Sequence, residues 1–124
     1  MKQKKQTKKQ IKRLEKRELK KKNKEWSNLI KERDNYKCAY SGSVEFIQAA
    51  HVIPREILEF RHDIDNGITL RAKFHKMHPK KSEDKSLFSA HYNPFAFFIW
   101  FMEIRPEQFN RLKDKWKRYL INKT

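Results

Sequence analysis

Over the first 24 positions, MKQKKQTKKQIKRLEKRELKKKNK, apolar residues are too sparse to make a face worth burying. Beyond Met1 only Ile11, Leu14 and Leu19 interrupt the polar run. Lys, Arg, Gln, Glu and Leu favour helix, and Glu15 and Glu18 gain a little from cations one turn away. The pattern predicts a basic arm, either a marginal helix or a disordered segment that stiffens against a polyanion. From Glu25 to Asp34 the pattern changes: Trp26, Leu29 and Ile30 recur at helical spacing and predict a short amphipathic helix, which Asp34-Asn35 ends. Tyr36 to Gly42 reads as a tight turn, with Gly42 free to take positive φ. Val44 to Ile53 is apolar and β-branched enough for a strand, closed by Pro54. Arg55 to Asp65 is a polar loop or short helix, Asp65-Asn66-Gly67 a turn, and Ile68-Thr69-Leu70 the second strand of a hairpin. Arg71 to His78 predicts a helix that Pro79 stops, followed by a charged loop over Lys80 to Lys85. Asn93 is a good N-cap with Pro94 at the first helical position. The helix from Pro94 to Ile104 is apolar nearly all round, which predicts a buried spine. Pro106 and Glu107 open a last helix striped by Phe109, Leu112, Trp116, Tyr119 and Leu120.

Composition narrows what such a chain can do. At 124 residues it holds one domain and an appended arm. The formal net charge is +16 and the sequence pI about 10.1, a field that draws polyanions through counterion release. Gly 2 and Pro 4 argue against a turn-rich all-β protein, and aromatics at 13% allow a real core. No apolar run is long enough to span a bilayer and the N-terminus has no apolar leader. The single cysteine, Cys38, excludes an internal disulfide. The expectation is a soluble, cytoplasmic, nucleic-acid-facing protein with no membrane partner.

Four short stretches carry more specific information: Asp34-Asn35-Tyr36-Lys37-Cys38, Ala50-His51-Val52-Ile53-Pro54, Asn66-Gly67-Ile68-Thr69-Leu70 and Phe74-His75. Together they resemble the HNH endonuclease family over about residues 30 to 80, and the helical C-terminal extension is most similar to phage-borne and recombination-type members. The resemblance implies an α+β fold: a small ββα-metal core with flanking helices. Residues 1–24 would be the basic arm, 25–82 the core with its leading helix, and 83–124 the helical extension. It also implies a metal-dependent DNA endonuclease. His51 matches the general base, Asn66 the asparagine that ties the loop and orients that histidine, and His75 the metal ligand on the helix. Phosphodiester hydrolysis needs such a base and an electrophile at the phosphate. Arg55, Arg61, Lys73 and Lys76 would surround a phosphate-sized site. Mg²⁺ or Mn²⁺ is the expected ion, with Ni²⁺ or Zn²⁺ as substitutes.

The sequence also departs from the family. Many members carry a metal-binding Asp or His just before the base, where this chain has Ala50. A substitute ligand would come from His78, Asp63, Asp65 or His91, and His78 is favoured because three residues along a helix lie on one face. Zinc-containing relatives use two Cys-x-x-Cys pairs. Here those positions are Cys38 with Ser41 and Arg71 with Phe74, so no structural zinc is expected. Phe74 should pack in its place, with Cys38 half-buried and inert. Nothing resembles a separate base-reading module, so sequence-nonspecific or structure-selective action on DNA, including branched or nicked forms, is expected, and a homodimer would suit a cutter of two strands. The competing readings are an HNH-fold protein that binds nucleic acid without cutting, and a basic RNA-associated protein.

Overall fold

Thr7 starts the first helix, α1 (Lys8–Arg33), through a reciprocal cap. Its hydroxyl accepts from Gln10 N at 3.2 Å while Gln10 Oε1 accepts from Thr7 N at 2.8 Å. The computed structural model describes residues 7–76 and 88–123. α1 runs unbroken through the expected boundary at 24/25, so arm and leading helix are one element. Nothing between Lys8 and Arg33 is a glycine or proline that would break it. Residues 7–25 are all exposed, and only Trp26 and Ile30 bury their side chains. The helix therefore stands on the core by its last two turns, and its basic first part, roughly 25 Å at 1.5 Å per residue, buries no side chain and is tied to the rest through Asn23 Oδ1, 2.7 Å from His62 Nε2.

After α1 the chain turns through two left-handed residues, Asn35 and Tyr36, each at φ 56. Their amides satisfy the last helical carbonyls, Asn35 N to Glu32 O and Tyr36 N to Lys31 O. β1 (Ile47–His51) pairs antiparallel with β2 (Gly67–Arg71) in the register His51 opposite Gly67 and Ile47 opposite Arg71. The first strand is shorter than Val44–Ile53. Phe46 at φ 51 breaks the extended geometry before it, and past His51 the chain bends away as Val52 N bonds Asn66 O. The connection holds two 3₁₀ turns, Leu58–Phe60 and Ile64–Asn66. α2 (Ala72–His75) follows directly, with Lys76 as its cap. It is shorter than the predicted Arg71–His78: Arg71 still belongs to β2, and His78 lies outside the described residues.

α3 (Pro94–Ile104) and α4 (Pro106–Lys123) cover one side of the hairpin, α3 capped by Asn93 as expected. The core is Cys38, Ala50, Val52, Phe60, Ile68, Leu70, Phe97, Phe101 and Leu112. Cys38 is fully inside it, not half-buried. Phe74 packs against it with Tyr40 and Phe88, whose rings stack at 4.2 Å. α3 is not the buried spine its composition predicted. Phe97 and Phe101 point inward, while Phe95 is 75% exposed and Phe98, Ile99 and Met102 lie on the open side. A helix lying on the edge of so small a core has only one face to bury. The result is a small α+β fold with a ββα core and flanking helices.

Gly67 is where α1 meets the hairpin. A Cβ there would sit 2.6 Å from Ile30 Cδ1 and from the Trp26 ring. The absent side chain lets α1 lie directly on the start of β2.

Candidate active site

His51 is the last residue of β1, and its ring lies flat on Trp26, with centroids 4.1 Å apart and planes 11° apart. Its Nε2 is 2.9 Å from Arg61 O. A carbonyl oxygen only accepts, so Nε2 carries the proton and Nδ1 keeps the lone pair. Burial lowers the pKa of His51, and the charges of Arg55, His62 and Arg61 lower it further, against the opposing effect of the Arg61 carbonyl. The ring is thus neutral near pH 7 and equipped to take a proton.

Asn66 is fully buried and clamps the connection between the strands. Its Oδ1 accepts from Ile53 N, and its Nδ2 donates to Ile53 O at 3.1 Å and Phe60 O at 2.8 Å. It bonds the loop, while the bond orienting His51 comes from Arg61 O, one residue beyond the Phe60 carbonyl that Asn66 holds.

His75 ends α2 at 5% exposure. Its Nδ1 donates to Gln48 Oε1 at 2.8 Å, leaving Nε2 as the acceptor, 3.1 Å from Nε2 of His91. Burial first, then the charges of His91, Lys76 and His51, push its pKa down to about 3. His91 is exposed, and burial and Lys76 lower its pKa while Glu56 opposes them. The segment before α3 is stitched to α2, with Ala90 N bonding Phe74 O and His91 N bonding His75 O at 3.0 Å.

His51, Arg55, Glu56, His75, Lys76 and His91 line one cleft of about 550 Å³. Of the four residues predicted to surround a phosphate, Arg55 and Lys76 line this cleft. Arg61 is not among the lining residues; its carbonyl bonds His51, and its Nε donates to Arg55 O at 2.7 Å. Lys73 is not among the lining residues, and its ammonium sits 6.0 Å from the Phe74 ring centroid. Asp63 and Asp65 do not serve as ligands to this cleft. Lys115 Nζ bonds Asp63 at 2.9 Å and 3.0 Å and Asp65 at 2.9 Å, and Arg111 Nε bonds Asp65 at 3.0 Å. Ala50 is wholly within the core and offers no donor.

Residues 38–82 match the sequence model of a family described as HNH endonuclease. Over this segment the chain is similar to HNH endonucleases. HNH nucleases act on DNA and generally use a divalent metal ion, and the HNH segment here spans the hairpin, the Asn66 clamp and His75. No match was found among curated proteins or among solved structures. The donor set suits such an ion: two neutral imidazoles whose nitrogens face each other, one backed by a Gln48 acceptor of the kind that fixes metal-bound histidines.

Sequence reading did not single out Gln48, nor Trp26 beyond its packing role. Trp26 was legible as an apolar helical position, but that its ring would lie on His51 depends on how α1 crosses the hairpin. Gln48 gave no signal, because a glutamine in a strand is usually just solvated.

Proposed function

We propose that the protein is a metal-dependent DNA endonuclease that hydrolyses phosphodiester bonds with His51 as general base. The observation that carries this reading is the His51 ring. It is held in one tautomer by Arg61 O, stacked on Trp26, and placed in the same cleft as His75. Nδ1 of His51 takes the proton from an attacking water. Asn66 holds the loop that presents the Arg61 carbonyl. Arg55 and Lys76 position the backbone phosphate, which fixes register without reading sequence. A divalent ion on His75 would neutralise charge on the phosphate and the departing 3′ oxygen. The exposed basic part of α1 adds nonspecific backbone affinity, and branched or nicked DNA suits a protein without a base-reading helix.

The test is incubation of the full chain with supercoiled plasmid and with a branched DNA, in Mg²⁺, Mn²⁺ or chelator, alongside His51→Ala and His75→Ala. Metal-dependent nicking lost in both variants supports the reading. DNA binding without cleavage under every ion sinks it, and favours the second reading, a binding protein on an HNH scaffold. That alternative draws on Ala50, which leaves the usual ligand position empty of any donor.

A further inference from the structure

We propose that His91, contributed by the C-terminal extension, is the second protein ligand of the metal site and replaces the residue lost at Ala50. The inference rests on the nuclease reading above and assigns a ligand from outside the HNH segment at 38–82. Three observations carry it. The Nε2 atoms of His75 and His91 are 3.1 Å apart. Two imidazole nitrogens each about 2.1 Å from one ion, at angles between octahedral and tetrahedral, stand about 3.0 to 3.4 Å apart, so the pair has the spacing of a shared ion. Second, His75 Nδ1 donates to Gln48, which fixes its Nε2 as the free lone pair aimed at His91. Third, His91 is placed by backbone, not by chance contact of a long side chain. Its own amide bonds His75 O, Ala90 N bonds Phe74 O, and Phe88 is stacked on Tyr40.

An alternative for the pair alone is a neutral N–H···N hydrogen bond. What distinguishes a ligand pair is the surroundings. Both rings open on the His51 cleft. No group of three or more His, Cys, Asp or Glu side chains suited to an ion occurs among the described residues, so two imidazoles would leave most coordination positions to water and phosphate. A site with imidazole donors favours Ni²⁺ or Zn²⁺ over Mg²⁺.

The experiment is calorimetric titration of the full chain with Ni²⁺, and visible absorption with Co²⁺, on wild type, His75→Ala, His78→Ala, His91→Ala and His91→Gln. Circular dichroism checks folding, and His91 is exposed enough for either variant to fold. The expected result is one site in the wild type, weakened at least about 100-fold in His75→Ala and in both His91 variants, since losing a direct ligand exceeds the effect of losing an outer-shell partner. The Co²⁺ spectrum should lose intensity in step, and His78→Ala should bind as wild type. Metal affinity unchanged in the His91 variants but lost in His75→Ala overturns the His91 assignment and leaves the nuclease reading standing. Strong loss in His78→Ala with none in His91→Ala does the same and returns the second ligand to His78. A wild type that binds neither ion overturns both.

Discussion

The connection between the two strands has two sides, and they use charge in opposite ways. On the cleft side, His51, His75 and His91 all have pKa values pushed below the usual imidazole value by burial and neighbouring cations. They are neutral and carry lone pairs. On the far side, carboxylates are locked. Asp34, at 2% side-chain exposure, pairs with Arg33 at 3.0 Å and Arg105 at 3.1 Å and accepts from Thr69 N. Asp63 and Asp65 are held by Lys115 and Arg111, and Gln108 donates to Asp65 O and Gly67 O. On the cleft side the imidazoles are kept neutral, while on the far side the carboxylates are ionised and paired. An acidic residue near an active site is therefore not a ligand until its partners have been counted.

The sharpest way to break the contrast is to remove its chemical half. His51→Ala should lower the cleavage rate by about 10²- to 10⁴-fold, the usual worth of a general base, with the melting temperature nearly unchanged. Single-turnover nicking beside a thermal melt reads both. A parallel collapse of stability would make His51 a packing residue.

Breaking the structural half should do the reverse. Asp34→Ala leaves Arg33, Arg105 and Thr69 N without their shared acceptor and should cost about 3 kcal/mol in urea unfolding. DNA affinity in the basic arm should be retained at temperatures where the variant is folded. Gly67→Ala forces Ile30 and Trp26 away from the hairpin, at about 2 kcal/mol. Because Trp26 carries the His51 ring, this variant alone should lose both stability and rate.

Acid titration should separate the two sides. Without metal, His75 is protonated in the unfolded chain below its ordinary 6.5 but in the folded chain only near 3. Between those values the unfolded state binds the extra proton. Stability is then fully present above about 6.5 and falls by up to about 1.4 kcal/mol per pH unit on the way down. For Asp34 and Asp65, burial alone would raise the pKa, but the bonds from Arg33 and Lys115 and their neighbours hold both below 3.8. Their contribution is present above 3.8 and lost only below it. Denaturation followed by pH should show the histidine loss first, and His75→Asn should flatten the upper window alone. The smallest effect expected is Lys115→Met, about 1 kcal/mol, because its ammonium is partly exposed and salt screens it.

Much of this arrangement was legible along the chain. Pro94 after Asn93, and Pro106 after Arg105, marked both C-terminal helices, because caps are local chemistry. The antiparallel hairpin followed from two apolar runs separated by polar residues and a turn. His51, Asn66 and His75 were legible only as a set at HNH spacing, since each alone is ordinary. The break expected after residue 24 was not there. Apolar spacing reports what a helix buries, not where it ends, and α1 continues as a helix on its own propensity and its Thr7 cap.

What the sequence by itself determined is what depends on neighbours a few residues away: the helix starts, the two strands, the positive field, and the residues with the chemistry of an HNH segment. Only the tertiary structure decided which of those residues meet. His91 is 16 positions from His75, Gln48 is 27, and Asp65 lies 50 from Lys115. No local rule constrains such pairs. They are fixed by how α1, α3 and α4 pack on one short hairpin, and that packing made Asp63 and Asp65 a brace and brought a histidine of the extension against His75.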